Sequence, residues 1–361
     1  MVYYLRRAAS FIVLLALTIA PVGNSASSEG PVNIPDPNLR AAIVKALDKP
    51  GDAEITASDM AGLTDLSATG AKIRDLTGLE FGVNLKVLIL NNNRCSDLSQ
   101  LSGLTNLEAL DIGGNPITHL SPLAGLTNLE FLEIPESEIV DLTPLKALSQ
   151  LSNLNLADNQ ITDLAPLARL KRLEWIDLTG NQISDLSPLE TLKNLKLLWL
   201  ADNKVSDLAP LSKLPSLVQL LLKNNEVSDL APMAQLAKLQ KLDVSVNSVS
   251  DLSPLAKLTN LRELSLDENE IEHLSPLKGL TNLKQLHLFK NRVSDLSPLT
   301  GLTNLERLGL VDNRVSDLSP LVKLTKLKEL DLRSNPLIPK TIGTHIPLLE
   351  AKGVYVEHSA R

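Results

Sequence analysis

One cysteine, Cys95, stands in 361 residues, so no disulfide can close within the chain. Its position also excludes a lipid-anchored N-terminus. Histidine is nearly as scarce, at 5 residues, and no His–Cys spacing suits a zinc site. No Asn-x-Ser/Thr glycosylation sequon occurs. Basic residues are in deficit, 35 against 42 acidic ones, for a formal charge of -7. Such a surface repels phosphate backbones and argues against nucleic acid as a partner. Beyond residue 20 no apolar run is long enough to span a bilayer. Aromatic residues make up only 2% of the chain, so the places they occupy carry weight.

The N-terminus carries Arg6 and Arg7, then an apolar run from Ala8 to Ala20, then a small-residue stretch from Gly23 to Ser28. That layout predicts a secretory signal peptide over residues 1–26, cleaved near Ser25–Ser27, and an extracytoplasmic mature chain. The apolar run is short for a membrane span, which leaves an uncleaved anchor as the alternative. The "AASF" after the arginine pair does not fit a twin-arginine signal. Removal of the two arginines takes the formal charge from -7 to -9.

Most of the remaining chain is a repeat. At a step of 22 residues, Asn93, Asn115, Asn159, Asn181 and Asn203 fall in one column, which continues without insertion to Asn335; Ser137 is the single break. The unit reads L-x-x-L-x-L-x-x-N-x-I-S-D-L-S-P-L-x-x-L-T-N, as in Leu173 through Asn194. Its L-x-x-L-x-L segment alternates in and out like a half-buried strand. The Asn tolerates a bend and can satisfy backbone groups where the chain leaves the strand. In S-D-L-S-P-L a Ser or Thr is expected to cap a short helical turn begun by Pro. The space before the next strand is too short for a long helix, so 3₁₀ turns are expected on the back. One copy cannot bury enough apolar surface to offset its ordering entropy, so copies must stack. The expected fold is an α/β solenoid of leucine-rich repeats. It is a right-handed superhelix with a parallel concave β-sheet and 3₁₀ turns on the convex side, capped at both ends.

The chain divides accordingly. Residues 27–62 are expected to form a helical N-terminal cap. A stripe of Leu39, Ala42, Ile43, Ala46 and Leu47 follows the start signals Asp36 and Pro37, and "TASD" at 56–59 reads as a capping box. Residues 63–335 hold thirteen repeats starting at Leu63, the first divergent. Residues 336–361 form a C-terminal cap, with a helical turn stopped by Gly353 and an edge strand at Val354–Val356.

The 22-residue unit with "NxISDLSPLxxLTNL", preceded by "NIPDPNLRAAIVKALDKPGDAEITASDMAGLTDLSATGAKIRDLTGLE", resembles the leucine-rich repeats and helical cap of bacterial internalins. The resemblance covers nearly all of residues 33–335. It implies the solenoid and a concave binding face, since the better-known internalins are surface proteins that grip a host receptor there. No immunoglobulin-like module, sorting motif or anchoring repeat comes after the repeats in this sequence, so host-cell invasion does not carry over.

Chemistry is hard to find. The carboxylates of Asp97, Asp141, Asp163 and Asp185 open a column that recurs beside every turn, which reads as turn hydrogen bonding. His119 and His273 replace Asp in that column seven copies apart and cannot share a metal. Cys95 fills an aliphatic core slot and reads as a buried, inert thiol. No nucleophile–base pair, phosphate loop or metal pattern is present, so no enzyme activity, cofactor or metal is expected.

The third, fifth and seventh residues of each unit point outward from the strand, and the fold leaves them free. Between Leu85 and Asn335 all the aromatics, Phe131, Trp175, Trp199 and Phe289, lie in these columns. Phe131, Trp175, Leu197, Trp199 and Leu221 are expected to form an open apolar patch ringed by Glu133, Asp177 and Lys223, the composition of a protein-binding hot spot. His287 and Phe289, with Val311 and Arg307, form a second patch. A protein ligand on the concave face of a monomer is the leading expectation. Tryptophan faces beside carboxylates and amides also suit a cell-envelope glycan or peptidoglycan. An intracellular phosphatase regulator with the same repeat would require residues 1–26 to have another role.

Overall fold

The computed structural model describes residues 30–358, and the expected signal peptide lies outside the described residues. Fourteen strands, each of three residues, form one parallel sheet in chain order. They are β1 (Asp65–Ser67), β2 (Val87–Ile89), β3 (Ala109–Asp111), β4 (Phe131–Glu133), β5 (Asn153–Asn155), β6 (Trp175–Asp177) and β7 (Leu197–Trp199). The second half comprises β8 (Gln219–Leu221), β9 (Lys241–Asp243), β10 (Glu263–Ser265), β11 (Gln285–His287), β12 (Arg307–Gly309), β13 (Glu329–Asp331) and β14 (Tyr355–Glu357). Equivalent residues pair in register: Ile176 at the centre of β6 lies between Leu154 on β5 and Leu198 on β7. Short 3₁₀ turns such as Ser187–Thr191 and Ala209–Lys213 return the chain along the back. This is the expected right-handed leucine-rich-repeat solenoid. Its core is a continuous column of aliphatics, with Leu195, Leu198, Leu200 and Val205 of one repeat all 0% exposed.

Asparagine does more than satisfy its own bend. The Asn203 amide donates to the carbonyls of Leu200 at 3.2 Å and Ala201 at 3.1 Å, and reaches into the preceding repeat to Leu178 at 2.9 Å. Its Oδ1 accepts the Ile183 N–H at 2.9 Å. Each such Asn therefore staples two repeats together through groups the core hides from water. At the break, the Ser137 hydroxyl donates to Asn115 O at 3.0 Å, and the Ile117 N–H turns to Asn115 O at 2.7 Å instead.

The residue before this column is left-handed in every regular repeat, with φ between 51° at Glu268 and 67° at Gly180. Asn, Asp and Gly accept that region at little cost, but Val246, at φ 55°, does not.

Three local expectations are corrected. Ser and Thr do not cap the 3₁₀ turns. The cap position is a leucine, for example Leu186, whose side chain the core requires. The Asp185 carboxylate, one residue earlier, instead accepts the Ser187 N–H at 2.8 Å and its hydroxyl at 2.9 Å. These serine hydrogen bonds, or threonine's in the first case, hold the carboxyls of Asp141, Asp251 and Asp317 below their ordinary range. In α1 (Pro37–Ala46) the buried residues are Leu39, Ile43 and Val44, while Ala46 is exposed. Ala42 and Leu47 pack partly buried against the core as expected, and Val44 turns inward where Ala46 does not. The last strand starts at Tyr355 rather than Val354, because Val354 is 4% exposed and packs into the core end.

Asp36 links the first helix to the solenoid. Its carboxylate accepts the N–H groups of Asn38 and Leu39 in α1, and with its other oxygen those of Arg74 and Asp75. Burial raises its pKa, but these four donors outweigh that and hold it low. The capping box opens α2 (Ala57–Ala61) as expected, with Thr56 and Asp59 exchanging hydrogen bonds. At the far end a five-residue π-helical turn, Thr341–His345, runs into α3 (Ile346–Glu350).

Candidate functional site

In β1 to β13 the middle residue is buried and its two neighbours line the concave face, as in β4 with Phe131 and Glu133 half-buried around Leu132. The candidate residues take their places from this register. Phe131 pairs with Asn153, and Asn153 with Trp175. Trp175 pairs with Leu197, and Trp199 lies between Asp177 and Leu221. The two tryptophans are thus diagonal neighbours. Their ring centroids are 5.5 Å apart with planes at 74°, an edge-to-face contact.

The patch differs from expectation at one position. Leu197 is 4% exposed, so it forms a floor flanked by Trp175 across the ladder and Trp199 along the strand. Phe131, Trp175, Trp199 and Leu221 remain half-buried at its surface. Both indole Nε1 atoms are wholly buried and have no hydrogen-bond partner among the described residues. An orphan buried donor costs on the order of 1–3 kcal/mol.

The fifth column beside the tryptophans is acidic. Asp111 pairs with Glu133, Glu133 with Asn155, and Asn155 with Asp177. Asp177 is 8% exposed. Burial pushes the Asp177 carboxyl up, against the N–H of Thr179 at 2.9 Å, and burial does the same at Asp111. Glu133 is pushed up to about 7, by burial first and then by the charges of Asp111 and Asp177, with a hydrogen bond to Asn155 opposing. Of the two acids expected on the rim, Asp177 is buried and Glu133 half-buried.

His287 and Phe289 sit four strands from Trp199, well separated from the first patch. They line a depression of about 380 Å³ with Lys223, Asp243, Val246 and Asp267. The Phe289 ring is partly engaged, with Lys290 Nζ 5.4 Å from its centroid. The Phe289 N–H donates to Asp267 Oδ1 at 2.7 Å. A larger depression of about 530 Å³, lined by Asp251, Glu272, His273 and Arg292, lies among the turns beyond the strands. Neither of these depressions is lined by a tryptophan.

Cys95 is 1% exposed, and burial pushes its thiol up to about 11, the behaviour of a core residue. No group of three or more His, Cys, Asp or Glu residues among the described residues could hold a metal ion.

A solenoid of this build is a leucine-rich-repeat protein, and a family model described as Leucine Rich repeats (2 copies) matches at residues 83–125, 149–192, 171–213, 193–236, 237–279, 259–301, 281–321 and 303–346. An internalin of Listeria monocytogenes, InlF, is 32% identical with a TM-score of 0.74, over 84% of this chain and 98% of that one. The functional domain of InlJ from the same species is 25% identical at a TM-score of 0.78, covering 86% and 68%. A leucine-rich-repeat protein of Leptospira interrogans is 27% identical at a TM-score of 0.70, covering 79% and 81%. The chain belongs to the bacterial internalin-type leucine-rich-repeat proteins. A search among curated proteins gave no match. The InlJ domain includes a cysteine ladder, whereas this chain has only Cys95.

Proposed function

We propose that this chain is an extracytoplasmic protein-binding module that holds a protein partner on its concave sheet. Phe131, Trp175, Leu197, Trp199 and Leu221 form the main contact in this reading, with His287 and Phe289 as a second. The observation that carries it is the Trp175–Trp199 pair, two large rings on a face the fold leaves free, both with buried and unpartnered N–H groups. Cross-strand stacking alone would favour aromatics without orphan donors. An edge-to-face pair over a leucine floor matches the desolvated centre of a protein interface. Export is supported by the basic, apolar and small-residue order of residues 1–28. No helix among the described residues is long and apolar enough to cross a membrane.

The test is affinity capture from envelope and host-type extracts by the whole protein and by its Trp175→Ala/Trp199→Ala variant. A protein retained by the first and lost by the second supports the reading. Retention abolished by soluble envelope sugars would replace it with glycan binding, for which Trp175 beside Asn153 and Asp177 offers suitable chemistry. Sequencing the native N-terminus tests export, and an intact Met1 would contradict cleavage.

A further inference from the structure

The concave face divides by charge. From β3 to β7 its third, fifth and seventh positions run from Ala109 to Ala201 and include no Lys, Arg or His. They include Asp111, Glu133 and Asp177, in successive rungs broken only by Asn155. Beyond β8 the same columns carry cations among their carboxylates. Lys241 pairs with Glu263 at 2.8 Å and Arg307 with Glu329 at 3.0 Å. Burial pushes the Asp267 carboxyl up and the charge of Asp243 adds to this, while the Phe289 N–H and the charges of His287 and Lys223 oppose it.

Adjacent strands are about 4.8 Å apart, and like charges directly opposite one another destabilise a sheet. Here the cost is aggravated by burial, which pushes all three carboxyls upward, and none of them has an ion-pair partner among the described residues. The next rung after Asp177 is Trp199, whose ring meets Trp175 edge to face. An aromatic pair ending a row of unpaired carboxylates suits a cation, held by ring faces on one side and oxygens on the other. Both indole N–H groups here are buried without a partner, so this part of the face is desolvated before any ligand arrives.

We propose that β3–β7 receives a basic segment of a protein partner, with a lysine or arginine side chain lying across Trp175 and Trp199 toward Asp177, Glu133 and Asp111. This rests on the reading that the concave face binds protein, and it adds the charge of the partner. The cations beyond β8 place the basic segment on the N-terminal half of the face.

The chain's 2 tryptophans are both at this site, so tryptophan fluorescence reports on it alone. A random displayed-peptide library would be selected on the whole protein, and the enriched peptides synthesised and titrated by tryptophan fluorescence. Enrichment of peptides with net positive charge is expected. Their affinity should fall about tenfold or more in the Asp111→Asn/Glu133→Gln/Asp177→Asn variant. That variant removes like-charge burial and should fold at least as well as the parent, which circular dichroism checks. Neutral or acidic enriched peptides, an empty selection, or basic peptides that bind the triple variant undiminished would overturn the proposal. Peptides that ignore the triple variant but are lost with Trp199→Ala would overturn it while leaving concave-face binding intact. Peptides indifferent to both sets of substitutions would overturn concave-face binding as well.

Discussion

Replacing Glu133 by Gln should stabilise the protein above neutral pH and leave it unchanged in acid. In the fold this carboxyl titrates at about 7, raised by burial and by Asp111 and Asp177, against an ordinary value of 4.5. The folded state therefore holds the proton more tightly than the unfolded chain does. Below about pH 4.5 both states are protonated, and the contribution of the buried, neutral acid is fully present. As pH rises through about 7 the unfolded chain sheds its proton first, and that stability is lost. At 1.36 kcal/mol per pKa unit the loss approaches about 3 kcal/mol by pH ~8. Glutamine keeps the shape and can still hydrogen-bond Asn155, but it does not ionise. Urea melts of both proteins from about pH 4.5 to 8 read the difference through the denaturation midpoint. The variant should gain on the parent by about 2–3 kcal/mol across that interval. Parallel stability curves would refute the reasoning and show that Glu133 is solvated when ionised.

Other substitutions separate frame from face. Leu200→Ala removes a side chain that is 0% exposed and should cost about 2–5 kcal/mol in urea melts, with Trp199→Ala costing much less. Asn203→Ala leaves the Ile183 N–H unpaired and removes one of two donors from each of the Leu178, Leu200 and Ala201 carbonyls, and should cost about 1–3 kcal/mol by the same measurement. Val246→Asn relieves a left-handed β-branched residue and should raise stability by about 1 kcal/mol, read as a higher thermal midpoint.

The repeat made much of this molecule legible in advance, because a fixed spacing assigns the recurring leucines to the core and every third, fifth and seventh residue to the concave face. The Asn column announced its bend, and the Thr56–Asp59 box announced α2. The left-handed position before each Asn was hidden because its residues differ, from Gly114 and Asp158 to Lys290 and Val246, and only some are types that favour the conformation. The turn cap was misplaced because Ser and Asp have the same local chemistry, and the core's demand for Leu186 decides between them. At the site, alternation shows which residues face outward but not how far their neighbours cover them. Leu197 therefore read as open although two tryptophans flank it, and Asp177 read as a rim charge although it is only 8% exposed. The π-helical turn at Thr341–His345 has no periodic signal, and nothing in its sequence distinguishes it from a loop.

Binding on the concave face is tested most directly by titrating the captured partner against well-folded Trp175→Ala, Trp199→Ala and Lys213→Ala proteins. Each tryptophan substitution should weaken binding by about 2–4 kcal/mol. That is roughly thirty- to a thousandfold in Kd. Lys213, exposed at the end of a convex 3₁₀ turn, should be replaceable without effect. Undiminished affinity in the Trp175→Ala/Trp199→Ala double variant would mean that the tryptophans only stack on the sheet and that the partner binds elsewhere.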